Sequence, residues 1–105
     1  MADQEQQMDG GLGETMEATS EVQELCDQVK LEVEEKCGKT FGQFVAVSYR
    51  SQLVAGTNYF IKVDAGDGFI HVRIYQPLPQ ANKPPSVTAV QQDKSKEDEI
   101  VYFEG

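Results

Sequence analysis

The sequence predicts an α+β domain in which an antiparallel β-sheet of four to five strands wraps one long α-helix. Between residues 20 and 38, apolar side chains recur three and four positions apart, the spacing of one helix face. From residue 40 onward, apolar and polar residues alternate with the period of two that is typical of strands. One helix followed by consecutive hairpins favours a sheet whose strands lie side by side in chain order and cover the apolar face of the helix.

Size and charge limit the classes of function. The chain has 105 residues, of which 39% are hydrophobic, and this suits a single soluble domain over residues 10–105. Residues 1–9 are polar and acidic, and we expect a flexible arm there. Residues 1–29 contain eight acidic residues and no basic one, within a net charge of −9. Such a chain repels nucleic acid, and it lacks the ~18 consecutive apolar residues of a membrane span, so we expect neither partner.

The segment before the helix is rich in glycine. Gly10, Gly11 and Gly13 surround Leu12, and three glycines in four positions permit unusual backbone conformations or a very close approach to another surface. The alternative interpretation is a flexible linker, since linkers are often glycine-rich. A short strand over about residues 12–16 would lead from this segment to the helix.

The helix is predicted to begin at Ser20 and to end before Gly38. Ser20 and Gln23 fit a capping box, and Glu21 favours the positive end of the helix dipole. Gly38 is a typical residue just past a helix end. Leu31 falls opposite the apolar stripe and should be exposed. The stripe itself consists of Val22, Leu25, Cys26, Val29, Val33 and Cys37.

Two of the stripe residues are cysteines, and their spacing argues against a disulfide. Cys26 and Cys37 are eleven residues apart, or about 16 Å along a helix, whereas a disulfide needs Cα atoms within about 7 Å. Two free thiols suit a reducing compartment. The first residues also lack the basic region and apolar run of a secretory signal. We therefore expect a cytoplasmic protein.

Two long strands follow the helix. The first is predicted over Phe41–Ser51, with a slip in its alternation near Ala46 and Val47 that fits a β-bulge. Thr57–Val63 forms the second strand. Its apolar face is made by Tyr59, Ile61 and Val63, and Phe60 interrupts the otherwise polar face.

The second half of the sheet is interrupted by two different connections. Asp64–Gly68 is a conventional hairpin turn. The strand after it places His71 and Arg73 on its polar face. Pro77–Pro85 cannot be the interior of a strand, because its prolines have no N–H for the ladder. A last strand over about Val87–Gln92 leads into a charged run and a short apolar end.

The connection between the first two long strands has an unusual composition for a turn. Leaving a Leu or Val side chain in water forfeits roughly 1.5–3 kcal/mol of burial. Two such residues at a hairpin tip therefore indicate a partner that covers them. The alternative is that Leu53 and Val54 continue one long buried strand and that the turn lies elsewhere. The connection consists of Gln52, Leu53, Val54, Ala55 and Gly56, of which only Gly56 is a usual turn residue.

No pattern indicates catalysis or metal binding. Cysteine-based catalysis needs a thiolate and a histidine, but His71 is the single histidine and both cysteines lie on the buried stripe, where thiols are usually inert. Three Cys and His residues in total are too few for a structural zinc site. Gly66-Asp67-Gly68 supplies too few oxygens for a calcium loop. We expect no enzyme and no cofactor.

Residues 52–63 read QLVAGTNYFIKV and resemble the Gln-x-Val-x-Gly signature of the cystatin superfamily, in the longer form of its stefin branch. The resemblance extends from Gly10 to about Phe103. It implies a sheet wrapped around one long helix, and reversible, competitive inhibition of papain-like cysteine proteases such as papain and the cathepsins. By position, it implies a three-part protease-binding wedge made by Gly10 and Gly11, by Gln52, Leu53, Val54, Ala55 and Gly56, and by Leu78, Pro79 and Gln80.

The order of the strands supports the same grouping. In an antiparallel meander, the Gln52–Gly56 and Pro77–Pro85 connections lie at one end of the sheet, and an edge strand before the helix would bring the glycine segment to that end. An alternative is an interaction or scaffold protein with this fold and no protease target, because one fold often serves unrelated functions. We expect mainly a monomer, with a domain-swapped dimer as an alternative state.

Overall fold

A computed structural model describes residues 11–104, and it confirms the predicted α+β fold. Within this range, one α-helix packs on an antiparallel sheet whose five strands follow chain order. In the described residues, no helix has the length and apolar character that crossing a membrane would require. The elements are β1 (Met16–Glu17), α1 (Ser20–Cys37), β2 (Val45–Val54), β3 (Gly56–Asp64), β4 (Phe69–Gln76), a 3₁₀ turn (Pro79–Ala81) and β5 (Ser86–Lys94).

The helix ends as predicted but is capped differently at its start. Thr19, not Ser20, is the N-cap, and its hydroxyl accepts a hydrogen bond from the Val22 amide at 3.2 Å. The predicted capping box from Ser20 is therefore wrong by one residue. At the other end, Gly38 adopts a left-handed conformation with φ 72°, and its amide donates to the Glu34 carbonyl at 2.8 Å.

Gln23 has another role, which is to fix the start of β2 against the helix. Its Nε2 donates to the Phe44 carbonyl at 3.0 Å, and its Oε1 accepts from the Ala46 amide at 2.8 Å. The register with β3 shifts between Ala46 and Ser48, which confirms the predicted bulge at Val47.

Two predicted strand boundaries are wrong. β2 begins at Val45, whereas Phe41 lies outside any strand and is buried in the main core. β1 occupies Met16–Glu17 alone and not residues 12–16. Leu12 lies instead in a core on the other face of the sheet.

The main core lies between the helix and the inner face of the sheet. All stripe residues except Cys37 are buried, and Cys37 is half-buried. Burial raises the pKa of the Cys26 thiol to about 12, so this thiol is protonated and unreactive at neutral pH. Both cysteines are free, and Leu31 is exposed, as predicted.

The outer face of the sheet is also covered, which the alternation of the strands does not predict. The chain end after β5 folds back over it. Arg50 Nη1 donates to the Ile100 carbonyl and Arg73 Nη1 to the Phe103 carbonyl, at 2.8 and 2.9 Å. Phe60, which interrupted the polar face in the sequence, lies at the centre of this second core. Its members are Leu12, Phe60, Ala89, Ile100 and Phe103.

His71 lies on the predicted polar face of β4, but it is fully buried, because this face is covered. Neither ring nitrogen has a hydrogen-bond partner among the described residues. Burial, followed by the positive charges of Lys94 and Lys62, lowers its pKa to about 4, against a weaker opposing effect of Asp98. The imidazole is therefore neutral in the folded protein near neutral pH.

The buried histidine predicts that mild acid destabilises the fold. Between pH 6.5 and 4, the unfolded chain binds a proton at His71 that the folded chain does not, so stability is complete above pH 6.5 and falls as the pH falls toward 4. The loss between about pH 7.5 and about pH 5 should be about 2 kcal/mol, as measured by urea denaturation. The control is His71→Gln, which cannot titrate and should lose less stability over the same range. Equal losses in the two proteins would contradict the prediction.

Candidate functional site

The hairpin between β2 and β3 is tighter than predicted. The two strands remain paired up to Val54 and Gly56, so that only Ala55 lies between them. The predicted five-residue turn is therefore wrong, because Leu53 and Val54 still belong to the strand. They are nevertheless 84% and 48% exposed, which confirms that the hairpin tip presents apolar side chains and excludes the interpretation of a long buried strand.

Gly56 allows this tip to lie against the end of β4. Its φ of +115° is a backbone conformation that residues with a side chain rarely adopt. A Cβ at this position would lie 2.6 Å from the Gln76 carbonyl oxygen and 2.9 Å from the Tyr75 hydroxyl. No side chain larger than hydrogen therefore fits without displacing the backbone of β4.

The end of β4 also contacts the apex of the hairpin directly. The Tyr75 hydroxyl donates a hydrogen bond to the carbonyl of Ala55. Gln76, the last residue of β4, lies opposite Thr57, which directly follows Gly56. The loop that leaves β4 therefore begins beside the hairpin tip, at the same end of the sheet.

That loop is folded by its own backbone hydrogen bonds. Leu78 precedes the short 3₁₀ turn, and its carbonyl accepts from the Ala81 amide at 2.9 Å. Asn82, in a left-handed conformation, donates its amide to the Pro79 carbonyl at 3.0 Å. The turn leaves Leu78, Pro79 and Gln80 exposed. The second predicted contact segment is thus a compact, ordered projection.

The glycine segment reaches the same end. Gly13 donates its amide to the Ser51 carbonyl at 2.8 Å, and Leu12 is anchored in the outer core. Gly11, with φ 82°, lies close to the side chain of Gln52, since a Cβ there would be 3.8 Å from Gln52 Nε2. Gln52 Oε1 in turn accepts from Asn58 Nδ2 at 2.9 Å. The predicted site residue Gly10 and the predicted arm over residues 1–9 lie outside the described residues.

The three segments together form a narrow edge, defined here as Gly11, Gln52–Gly56 and Leu78–Gln80, without an ionisable side chain. Such an edge can fill an apolar cleft, but it offers neither a nucleophile nor a group for proton transfer. His71 and Cys26 are both buried elsewhere, on opposite sides of the sheet. Among the described residues, no group of three or more His, Cys, Asp or Glu side chains is arranged to hold a metal ion.

The sequence pattern did not reveal Tyr75 and Asn58 as supports of this edge. Both lie on strands in which apolar and polar residues alternate in the ordinary way. Their roles follow from the register, which places them opposite each other beside Gly56. With the correct turn length, that register could have been derived from the sequence.

A sequence model of the cystatin domain matches residues 10–97. The chain belongs to the cystatin family. Human cystatin-B is 50% identical over 97 residues, which cover 91% of this chain and 99% of that protein. Stefin-C of Bos taurus is 48% identical, over 90% and 94% of the two chains. Leukocyte cysteine proteinase inhibitor 1 of Sus scrofa is 46% identical, over 94% and 97%. The resemblance to the stefin branch is thereby confirmed.

Family membership also decides against a catalytic function, since cystatin-family proteins are protease inhibitors and not enzymes. The buried positions of His71 and Cys26 are consistent with this. The edge is accordingly the candidate functional surface.

The close approach at Gly56 generates a test of how the edge is built. Gly56→Ala should destabilise the protein by about 2–4 kcal/mol, because it combines a strained φ with a clash against the β4 backbone. Urea denaturation measures the loss. Gly42→Ala is the control, since nothing lies within 4 Å of its added Cβ, and it should leave stability nearly unchanged. A Gly56→Ala protein as stable as the parent would contradict the described packing of the tip.

Proposed function

We propose that this protein is a reversible, tight-binding, competitive inhibitor of papain-like cysteine proteases, such as papain and the cathepsins. The observation that carries the proposal is the exposed apolar edge, on which Leu53, Val54 and Leu78 remain in water in the free protein. A cleft that buried these side chains would recover roughly 1.5–3 kcal/mol for each one that becomes fully covered. The porcine relative is named a cysteine proteinase inhibitor, which supports the same class of partner.

The mechanism is steric and non-covalent. The hairpin enters the cleft as a closed turn, and its peptide bonds are held in the β2–β3 ladder up to the Val54–Gly56 pair. A protease needs an extended peptide whose carbonyl reaches a near-attack distance of about 3–3.5 Å from the nucleophile. A tight turn does not supply such a peptide, so the inhibitor blocks the cleft without being cut.

Each segment of the edge has its own place in the proposed contact. Gln52–Gly56 would lie over the catalytic centre of the protease, and Leu78, Pro79 and Gln80 would cover the side that binds the leaving half of a substrate. Gly10 and Gly11 would mark the point at which the chain bends into the other side of the cleft. Because β-structure and the 3₁₀ turn already order the first two segments, little conformational entropy remains to be lost on binding.

The remaining proposals concern the state of the inhibitor. We propose a mainly monomeric, cytoplasmic protein, in keeping with its two free cysteines. Exchange of strands through the hairpin would give a domain-swapped dimer as a second state.

The direct test is a titration of papain with the purified protein. The activity toward a small peptide substrate should fall to zero near one equivalent, and it should return on dilution with excess substrate, as expected for competitive and reversible binding. A scaffold protein with the same fold would leave papain fully active in molar excess, and this result would refute the proposed function.

A charge at the hairpin tip should weaken binding to the protease. Val54→Asp should raise the inhibition constant for papain by about thirtyfold or more, equivalent to about 2 kcal/mol, because a carboxylate would lose its water in the contact. Val47→Asp is the matched control. Val47 is a valine on the same strand with similar exposure, 39% against 48%, but it lies at the bulge, far from the tip. Equal effects of the two substitutions would show that the tip is not the contact.

A further inference from the structure

Tyr75 occupies a position between the hairpin tip and the second loop. It lies on the same face of β4 as Arg73 and His71, opposite Asn58 on β3, and two residues before Pro77. Its ring lies beside Gly56, where an added Cβ would be 3.0 Å from Tyr75 Cε1. Its hydroxyl donates to the carbonyl of Ala55 at the apex of the hairpin.

We infer that Tyr75 is a positioning residue of the inhibitory edge, which sets the hairpin tip relative to the loop that follows β4. This inference rests on the proposed function. Tyr75 acts on the protease only through Ala55 and its neighbours, which it holds in the geometry that enters the cleft.

The register shows why such a residue is needed. The β3–β4 ladder ends at the pair formed by Thr57 and Gln76, so the ladder does not hold the apex beyond it. On the other side of the hairpin, the side chains of Leu53 and Val54 are 84% and 48% exposed. The hydroxyl of Tyr75 extends the connection between the two strands past their last pair, to Ala55.

The same bond couples two segments that are distant in sequence. The hairpin tip belongs to the β2–β3 connection, whereas Leu78 belongs to the β4–β5 connection. Tyr75 is three residues from Leu78 along the chain, so fixing Ala55 to Tyr75 fixes the separation of the two apolar projections. A rigid separation reduces the conformational freedom that would otherwise be lost when both enter one cleft.

The experiment compares two substitutions that each remove one hydroxyl. Tyr75→Phe keeps the ring beside Gly56 and removes only the bond to Ala55. Tyr102→Phe is the matched control, because its hydroxyl donates to Glu104 at 2.8 Å, away from the edge. For each protein, the inhibition constant for papain is measured, together with the ¹⁵N order parameters of the Ala55 and Gly56 amides.

Tyr75→Phe should raise the inhibition constant about three- to tenfold, the range expected for the loss of one hydrogen bond, and should lower both order parameters. Tyr102→Phe should change neither. An unchanged inhibition constant for Tyr75→Phe would overturn the inference. Weaker inhibition with unchanged order parameters would also overturn it, because the hydroxyl would then act by contacting the protease and not by positioning the tip.

The two measurements also separate this inference from the proposed function. If the parent protein fails to inhibit papain, the proposed function is refuted and so is a positioning role in inhibition. If the parent inhibits and the two Tyr→Phe proteins behave alike, the proposed function stands and the inference alone fails.

Discussion

The close approach of Gly56 to the end of β4 is the constraint on which the edge depends. A carbonyl oxygen and a tyrosine hydroxyl occupy the space that any Cβ would need, so the hairpin tip rests against the next strand and does not project freely. Leu53 and Val54 thus stay exposed at a tip that packs against the end of β4.

The rest of the sheet is covered on both faces. The helix covers the inner face, and the returning chain end covers the outer one. Arg50 joins the two ends of the described chain, since Nε donates to the Gly13 carbonyl and Nη1 to the Ile100 carbonyl, each at 2.8 Å. The Arg73 guanidinium lies over the Phe60 and Tyr102 rings at 5.3 and 5.2 Å from their centres. These bonds to backbone carbonyls anchor the glycine segment and the outer core to the strands that carry the tip.

Periodicity predicted the helix, its apolar stripe, the bulge and the long strands, because each of these depends on local spacing. The features that the sequence did not predict depend on contacts between residues that are far apart in the sequence. The alternation in β4 cannot show that His71 is buried, since the segment that covers it begins more than twenty residues later. The one local sign that this face is covered was Phe60, an aromatic residue on an otherwise polar strand face. For the edge, composition predicted the exposure of Leu53 and Val54, but it did not predict the one-residue turn, which sets the strand register and brings Tyr75 to Ala55.

Charge is distributed so that stability and recognition respond to acid separately. The edge has no ionisable side chain, so on the inhibitor's side its contact surface is the same at pH 7 and at pH 5. The outer face of the sheet holds a neutral histidine, His71, whose low pKa, caused first by its burial, makes the fold less stable as the pH falls. Acid therefore acts on this inhibitor through the stability of its fold, which falls by about 2 kcal/mol near pH 5, and not through an ionisable group of the edge. The stability of the fold and the affinity of the folded protein then depend on different residues: His71 affects the first, and the edge determines the second.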